Sequence, residues 1–182
     1  MVNTPPPPAR FNFAAHLLAT NAERAGKTAF IDDQGRLTYG QLDEQVRRCA
    51  AGLRALGLRR EDRLLLLMHD CSDWPVAFLG ALYAGVVPVA VNTLLTADDY
   101  AFMLRDSRAQ AALVSATLLP TLQAALAQGG HEVGPIVVSR PGDALPGGCT
   151  AFNALLAAQT LSATAADTHA DEAAFWLYSS GS

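Results

Sequence analysis

The chain has 182 residues, of which 51% are hydrophobic and 16% charged, a composition typical of one globular domain rather than a disordered protein. Its net charge of -4 and pI near 5.4 argue against nucleic acid or an anionic membrane as partner, because both are bound by clustered Lys and Arg. The three cysteines, Cys49, Cys71 and Cys149, are an odd number without metal-ligand spacing, which favours a reducing cytoplasm over a disulfide framework.

The N-terminal residues 1–10 contain the proline run Pro5 to Pro8 and are predicted to be a mobile, extended tail without a secretory signal. One apolar segment, Trp74 to Ala97, is long enough to cross a bilayer and carries no charge. Gly85 and Pro88 interrupt it, so it is interpreted as a buried helix followed by a buried strand. The sequence therefore predicts a protein with no membrane partner.

The first elements are predicted to be a helix, a hairpin and a second helix. Asn12 can cap a helix that runs to about Arg24, and the hairpin strands Thr28 to Asp32 and Arg36 to Tyr39 flank a turn. The next helix carries an apolar face and ends before Gly57.

From Arg63 onward, apolar strands alternate with amphipathic helices. The continuous apolar run from Leu64 to Met68 is typical of a strand that is buried on both faces of a parallel sheet. Thr96, with Asp99 three residues later, predicts the start of one helix. The alternation predicts βαβ units, and hence an α/β fold with a three-layer, mostly parallel sheet and flanking helices. The other predicted elements are helices 74–84, 97–107, 117–128 and 152–159 and strands 86–91, 111–116, 135–139 and 173–179.

The end of the sequence has the pattern of a phosphate-binding loop. An apolar strand leads into Ser179, Ser180, Gly181 and Ser182, where Gly allows the backbone to approach a phosphate and Ser supplies converging N–H and hydroxyl donors. The pattern differs from the Walker loop, which has Gly-Lys-Ser or Gly-Lys-Thr after a longer spacer.

Three separated segments resemble the adenylate-forming superfamily of acyl- and aryl-CoA ligases, luciferases and peptide-synthetase adenylation domains. Leu37-Thr38-Tyr39-Gly40-Gln41-Leu42 is similar to its Leu-Thr-Tyr-x-x-Leu signature. Leu82 to Val89 resembles its Ala-Gly-x-x-x-Val-Pro region, with one residue fewer before Pro. Tyr178 to Ser182 resembles the opening of its Ser-Ser-Gly-Ser-Thr-Gly-x-Pro-Lys-Gly loop, and the chain stops before the second Gly and the Lys.

Within this superfamily, Val89 to Tyr100 is most similar to the benzoate and hydroxybenzoate–CoA ligases. The resemblance implies that residues 11–182 are the N-terminal portion of a large AMP-binding domain, cut within the phosphate loop. It also implies that an aromatic carboxylate, ATP with Mg²⁺, and CoA are the partners of the whole protein. Only Ser179, Ser180, Gly181 and Ser182 can be carried over, as phosphate-binding residues. The catalytic and metal-binding residues of the family fall beyond this sequence, so the isolated chain is expected to be inactive.

Two alternatives remain at this point. The chain could be a non-catalytic truncated module that binds a partner, or an unrelated nucleotide-binding protein, although no Gly-x-Gly-x-x-Gly follows its first repeating strand.

His69 and Asp70 follow the strand 64–68 at the end where open α/β sheets place ligands. They could face a crevice or simply cap and hydrogen-bond the loop.

Overall fold

The computed structural model describes residues 6–142, 145–161 and 164–179. Helix α1, Phe13–Thr20, begins where the Asn12 side chain accepts a hydrogen bond from the Ala15 N–H. It ends four residues earlier than predicted and is followed by a separate 3-10 helix, Ala22–Arg24. The break occurs because Asn21 leaves the helical conformation and its side chain bonds to the Leu17 carbonyl and the Arg24 guanidinium.

The N-terminal tail is attached to a later segment at its end. The Ala9 carbonyl accepts from the Ala170 N–H, and the Phe11 N–H donates to the Thr168 carbonyl. An ion pair joins Arg10 to Asp167 nearby. Residues 6–8 are exposed and outside any helix or strand, and the mobility of the tail remains a prediction.

The predicted hairpin is present as the antiparallel strands β1, Thr28–Asp32, and β2, Gly35–Thr38. Tyr39 was expected on the second strand but begins helix α2, Tyr39–Ala55. The reason is a capping box, in which the Thr38 and Gln41 side chains each accept a hydrogen bond from the other residue's backbone N–H. Gly57 has a φ of 93° just after this helix, a conformation that favours glycine.

Among the described residues, six parallel strands form the main sheet, with the order β7-β6-β5-β3-β4-β8. The strands are β3 Arg63–Leu67, β4 Val87–Ala90, β5 Ala111–Ser115, β6 Ile136–Ser139, β7 Cys149–Ala151 and β8 Trp176–Leu177. The helices are α3 Asp73–Ala84, α4 Ala97–Ser107, α5 Leu119–Leu126 and α6 Phe152–Ala157. A 3-10 helix, Ala116–Leu118, precedes α5, where the prediction had one continuous helix.

The sheet is covered on both faces, which confirms the predicted three-layer α/β fold. Leu64 and Leu66 of β3 face a core shared with α1, α2, α3 and α6. Leu65 and Leu67 alternate to the other face and pack with α4 and α5. All four side chains are fully buried. A strand that is buried on both faces reads as a continuous apolar run, which explains the sequence pattern.

Two strands differ from the prediction. The three-residue strand β7 was not predicted, because Cys-Thr-Ala has no apolar run. In the part of the chain that the structure describes, β7 pairs only with β6, at one edge of the sheet. Strand β8 was predicted to be buried and to cover 173–179, but it has two residues and lies at the other edge. Trp176 is 38% and Leu177 68% exposed, since among the described residues β8 pairs only with β4.

The apolar segment that follows Trp74 divides into α3, β4 and a loop. Within the described ranges 6–142, 145–161 and 164–179, no helix is both long enough and apolar enough to cross a membrane.

Candidate functional site at the carboxyl edge of the sheet

Polar side chains gather where the parallel strands end. The carboxyl ends of all six strands meet at one edge, which is where α/β sheets of this kind bind ligands. The side chains found there are His69 and Asp70 after β3, Asn92 and Thr93 after β4, Ser115 on β5, Arg140 after β6, and Tyr178 and Ser179 after β8.

A groove of about 470 Å³ opens between the ends of β3, β4 and β8. The groove is lined by His69 and Asp70, by Asn92 and Thr93 of the loop after β4, and by Tyr178. The His69 N–H donates to the Ser115 hydroxyl at 3.0 Å, which fixes the backbone of the β3 loop. His69 and Asp70 are exposed and line this groove, which is one of the two placements that the sequence left open.

The loop after β4 is held by hydrogen bonds to Tyr100 of α4. The buried Tyr100 hydroxyl donates to the Asn92 carbonyl at 2.7 Å and accepts from the Leu95 N–H at 3.2 Å. Burial raises the pKa of Tyr100 because it disfavours the phenolate. The predicted start of α4 is confirmed by a capping box, in which Thr96 and Asp99 bond to each other's backbone. The loop after β4, which lines the groove, is thus attached to a well-capped helix.

An ionic cluster around Arg140 borders a second cavity of about 590 Å³ on the same edge. The Arg140 guanidinium donates to Asp33 at 2.8 Å and to Asp32, both in the turn region of the β1–β2 hairpin. It also lies 3.3 Å from the Ser72 hydroxyl. Although burial opposes it, bonding to Asp33 and Asp32 raises the pKa of Arg140 above its usual value. The cluster holds the hairpin against the end of the sheet.

Asp32 is the most strongly bonded carboxylate of this cluster. It accepts from the Ser72 N–H at 2.8 Å, from the Gln34 N–H at 2.9 Å and from Arg140. The Ser72 side chain and N–H, followed by Arg140, hold the pKa of Asp32 well below its usual range. On β6, the Ser139 hydroxyl donates to Asp73 at 2.6 Å, so the start of α3 is held by the same group of residues.

Three comparisons with known proteins agree with this geometry. The AMP-binding enzyme family matches residues 17–182. The chain belongs to the AMP-binding enzyme family. The benzoate–CoA ligase of Thauera aromatica is 44% identical over 186 residues, which cover 99% of this chain and 34% of that protein. The 4-hydroxybenzoate–CoA/benzoate–CoA ligase of Rhodopseudomonas palustris is 42% identical, covering 87% of this chain and 29% of that protein.

Solved structures of related enzymes have the same fold. A benzoate CoA ligase from Burkholderia xenovorans LB400 superposes with a TM-score of 0.85 and 49% identity, over 92% of this chain and 32% of that one. An anthranilate CoA ligase in complex with anthranoyl-AMP has a TM-score of 0.83 and 29% identity, over 90% and 31% of the two chains. This AMP-binding chain therefore spans about a third of the length of the relatives that it matches.

The predicted phosphate-loop residues of this AMP-binding chain are only partly described. Ser179 is exposed and lies two residues beyond β8, directly after Tyr178, which lines the groove. Ser180, Gly181 and Ser182 lie outside the described residues, so phosphate binding by the four residues remains a prediction. Sequence reasoning did not find the Arg140 cluster, although one signal was present: Arg140 directly follows a predicted strand, at the edge where ligands bind.

Over its described part, this AMP-binding chain does not bring its metal-ligating residue types together as a metal site. In the ranges 6–142, 145–161 and 164–179, no three His, Cys, Asp or Glu side chains form a group that could hold a metal ion. The three cysteines are free thiols. Burial, together with the charge of Asp73, raises the pKa of Cys49 to about 12, so this thiol stays protonated and unreactive at neutral pH.

Replacing Asp32 by Asn should make the free energy of unfolding of the chain less dependent on pH in the acid range. A carboxyl group whose folded pKa is depressed adds stability above its unfolded pKa, and this stability is lost as the pH falls through the folded value. We expect D32N to have a lower urea midpoint than wild type at pH 7. The difference should narrow as the pH falls from about 5 to about 2.

Asp33→Asn is the matched control for this prediction. Asp33 lies in the same turn and also accepts from Arg140, but its side chain is 79% exposed, so its loss should matter less. The urea midpoints of wild type, D32N and D33N are compared from pH 7 to pH 2, with unfolding monitored by circular dichroism. Equal midpoints for D32N and D33N at pH 7 would show that the additional hydrogen bonds of Asp32, from the Ser72 and Gln34 N–H groups, do not stabilise the fold.

Proposed function

We propose that the protein to which this chain belongs is an ATP-dependent aromatic acid–CoA ligase that acts in the cytoplasm. We propose further that the chain is the N-terminal portion of its large AMP-binding domain. The observation that carries the proposal is the 44% identity to a benzoate–CoA ligase over 99% of the chain. The substrate class is supported by two further relatives, which are named for benzoate and hydroxybenzoate.

The proposed reaction has two steps. A carboxylate oxygen of benzoate or hydroxybenzoate attacks the α-phosphorus of ATP, which forms the acyl-adenylate and releases diphosphate. The CoA thiolate then attacks the acyl carbon, which forms the aryl-CoA thioester and releases AMP.

The part assigned to this chain is phosphate binding at the end of β8. Backbone N–H groups and hydroxyls of Ser179, Ser180, Gly181 and Ser182 would contact the β- and γ-phosphates, where negative charge increases as diphosphate leaves. Donors held in place at that position stabilise the transition state more than the bound substrate. The described residues supply no nucleophile to either step, because the attacking atoms belong to the substrates.

We also propose that Mg²⁺ accompanies ATP, because phosphate oxygens are the hard ligands that this ion prefers. The side chains described here do not form a metal site of their own. No step assigned to this chain therefore depends on the metal.

Reading the codons that follow Ser182 in the gene gives the first test. The proposal requires Thr-Gly-x-Pro-Lys-Gly there, because Ser-Ser-Gly-Ser is only the first part of the phosphate loop of the ligases. A continuation without that Lys would contradict the ligase assignment.

The second test is the activity of the protein encoded by the complete reading frame. We expect benzoate-dependent exchange of labelled diphosphate into ATP, and CoA-dependent release of AMP. Acetate is the control acid and should support much less exchange, since it cannot fill an aryl pocket. Exchange without any dependence on an aromatic acid would contradict the proposed substrate class.

A second candidate function is a non-catalytic module that binds a protein partner. It is favoured by the exposed apolar side chains at the β8 edge, since Phe175 is 47% and Leu177 68% exposed. A reading frame that stops at Ser182, with an inactive product, would support this alternative over the ligase.

A further inference from the structure

Tyr178 connects the start of the proposed phosphate loop to helix α4. It is the last residue before Ser179, and its hydroxyl donates to the Asp106 carboxylate at 2.7 Å. The same hydroxyl lies 3.4 Å from the Met103 carbonyl, and the tyrosine ring meets Phe102 edge-on at 6.5 Å between centroids. One face of α4 thus holds both the ring and the hydroxyl.

This contact is important because β8 is otherwise weakly held. The strand has two residues, and in the described part of the chain it pairs only with β4. A short edge strand with exposed side chains is among the less stable parts of a sheet. Besides that pairing, Arg63 lies over the Trp176 ring at 5.9 Å, and Phe175 contacts Phe78 of α3. Both contacts involve residues that come before Tyr178, which is the residue next to Ser179.

The Tyr178 hydroxyl stays protonated, as a hydrogen-bond donor must. Burial, and then the hydrogen bond to Asp106, raise the pKa of Tyr178 above its usual value. The hydroxyl therefore keeps its proton at neutral pH, and the bond to Asp106 is charge-assisted.

We propose that Tyr178 and Asp106 are positioning residues for phosphate binding: their hydrogen bond places Ser179 against the phosphates of ATP. This inference depends on the proposed ligase function. Neither side chain is assigned a contact with ATP or with the reacting atoms. Their effect should therefore be on the binding of ATP and diphosphate rather than on the binding of the aromatic acid.

The test is steady-state kinetics of the protein encoded by the complete reading frame. The variants are Tyr178→Phe, which keeps the ring but removes the hydroxyl, Asp106→Ala, which removes the acceptor, and Asp106→Asn, which keeps an oxygen acceptor. The matched control is Asp98→Ala on the same helix, because the Asp98 carboxylate bonds to Gln128 rather than to β8. Thermal unfolding of every variant shows whether it is folded.

We expect Y178F and D106A to raise KM for ATP about fivefold, which corresponds to one lost hydrogen bond of ordinary strength. KM for benzoate should stay within about twofold of wild type. D106N should restore most of the ATP affinity, because the amide oxygen accepts the same bond. D98A should behave as wild type.

Three outcomes would overturn the inference while leaving the ligase function intact. The first is an unchanged KM for ATP in folded Y178F and D106A. The second is an equal rise in KM for ATP and for benzoate, which indicates a general structural role. The third is D106N as impaired as D106A. Wild type without benzoate-dependent exchange would overturn the proposed function and this inference together.

Discussion

Purified as residues 1–182, the chain is expected to exchange diphosphate into ATP at least about a thousandfold more slowly than the protein encoded by the complete reading frame. The chain spans about a third of the length of its relatives, and its described part contributes at most phosphate donors. Orientation of the reactants and electrostatic stabilisation of the transition state together account for most of an enzyme's rate. Groups of those kinds are expected in the remaining two-thirds of a ligase.

Binding of ATP by the chain should also be weak. The loop offers only a few donors, and hydrogen bonds to a charged group contribute about 1.5 to 3 kcal/mol each before the cost of ordering is subtracted. A dissociation constant in the millimolar range or weaker is the expected result.

The measurement is benzoate-dependent exchange of labelled diphosphate into ATP, with Mg²⁺ present and the complete protein as control. Titration calorimetry with ATP gives the affinity. Exchange by the chain within about tenfold of the complete protein would show that the active site lies within these residues. It would contradict the proposal that this chain contributes only phosphate donors.

Replacing Leu66 by Ala should destabilise the chain by about 2 to 5 kcal/mol. Leu66 is fully buried on β3, where it lies opposite Ala90 of β4 and Leu113 of β5. Strand β3 has a strand on each side and helices on both faces of the sheet. The cavity left by the substitution therefore cannot close completely. A loss of this size is a large fraction of the stability of an ordinary domain.

Leu94→Ala is the matched control for this prediction, since it removes the same atoms from a side chain that is 87% exposed. Its effect should be within about 0.5 kcal/mol. Urea denaturation of the wild type and both variants, analysed by linear extrapolation, gives the three values. Equal losses for L66A and L94A would contradict the assigned position of β3 at the centre of the sheet.

The order of the elements could be predicted because its signals are local. A continuous apolar run such as Leu64 to Met68 indicates a strand that is covered on both faces, whatever covers it. The start of α4 was predicted from Thr96 and Asp99, which satisfy each other's backbone without help from the rest of the chain. The three-layer fold follows from the alternation of such segments.

The ionic cluster of the candidate site could not be predicted in the same way. Arg140 bonds to Asp32 and Asp33 across 108 and 107 residues. No spacing rule connects positions that far apart, because the contact exists only once β6 and the hairpin reach the same edge of the sheet. The bond between Tyr178 and Asp106 spans 72 residues and was likewise found only in the folded chain.

The amino-acid pattern alone was sufficient for the class of fold, the boundaries of most helices and the family resemblance. Only the folded structure showed that β8 is a two-residue, exposed edge strand and that β7 pairs at the opposite edge. The physical reason is that hydrophobicity records how well a segment tolerates burial, whereas its actual burial depends on which strands and helices lie beside it. Phe175, Trp176 and Leu177 are as apolar as the residues of a central strand, and their exposure is decided by their neighbours.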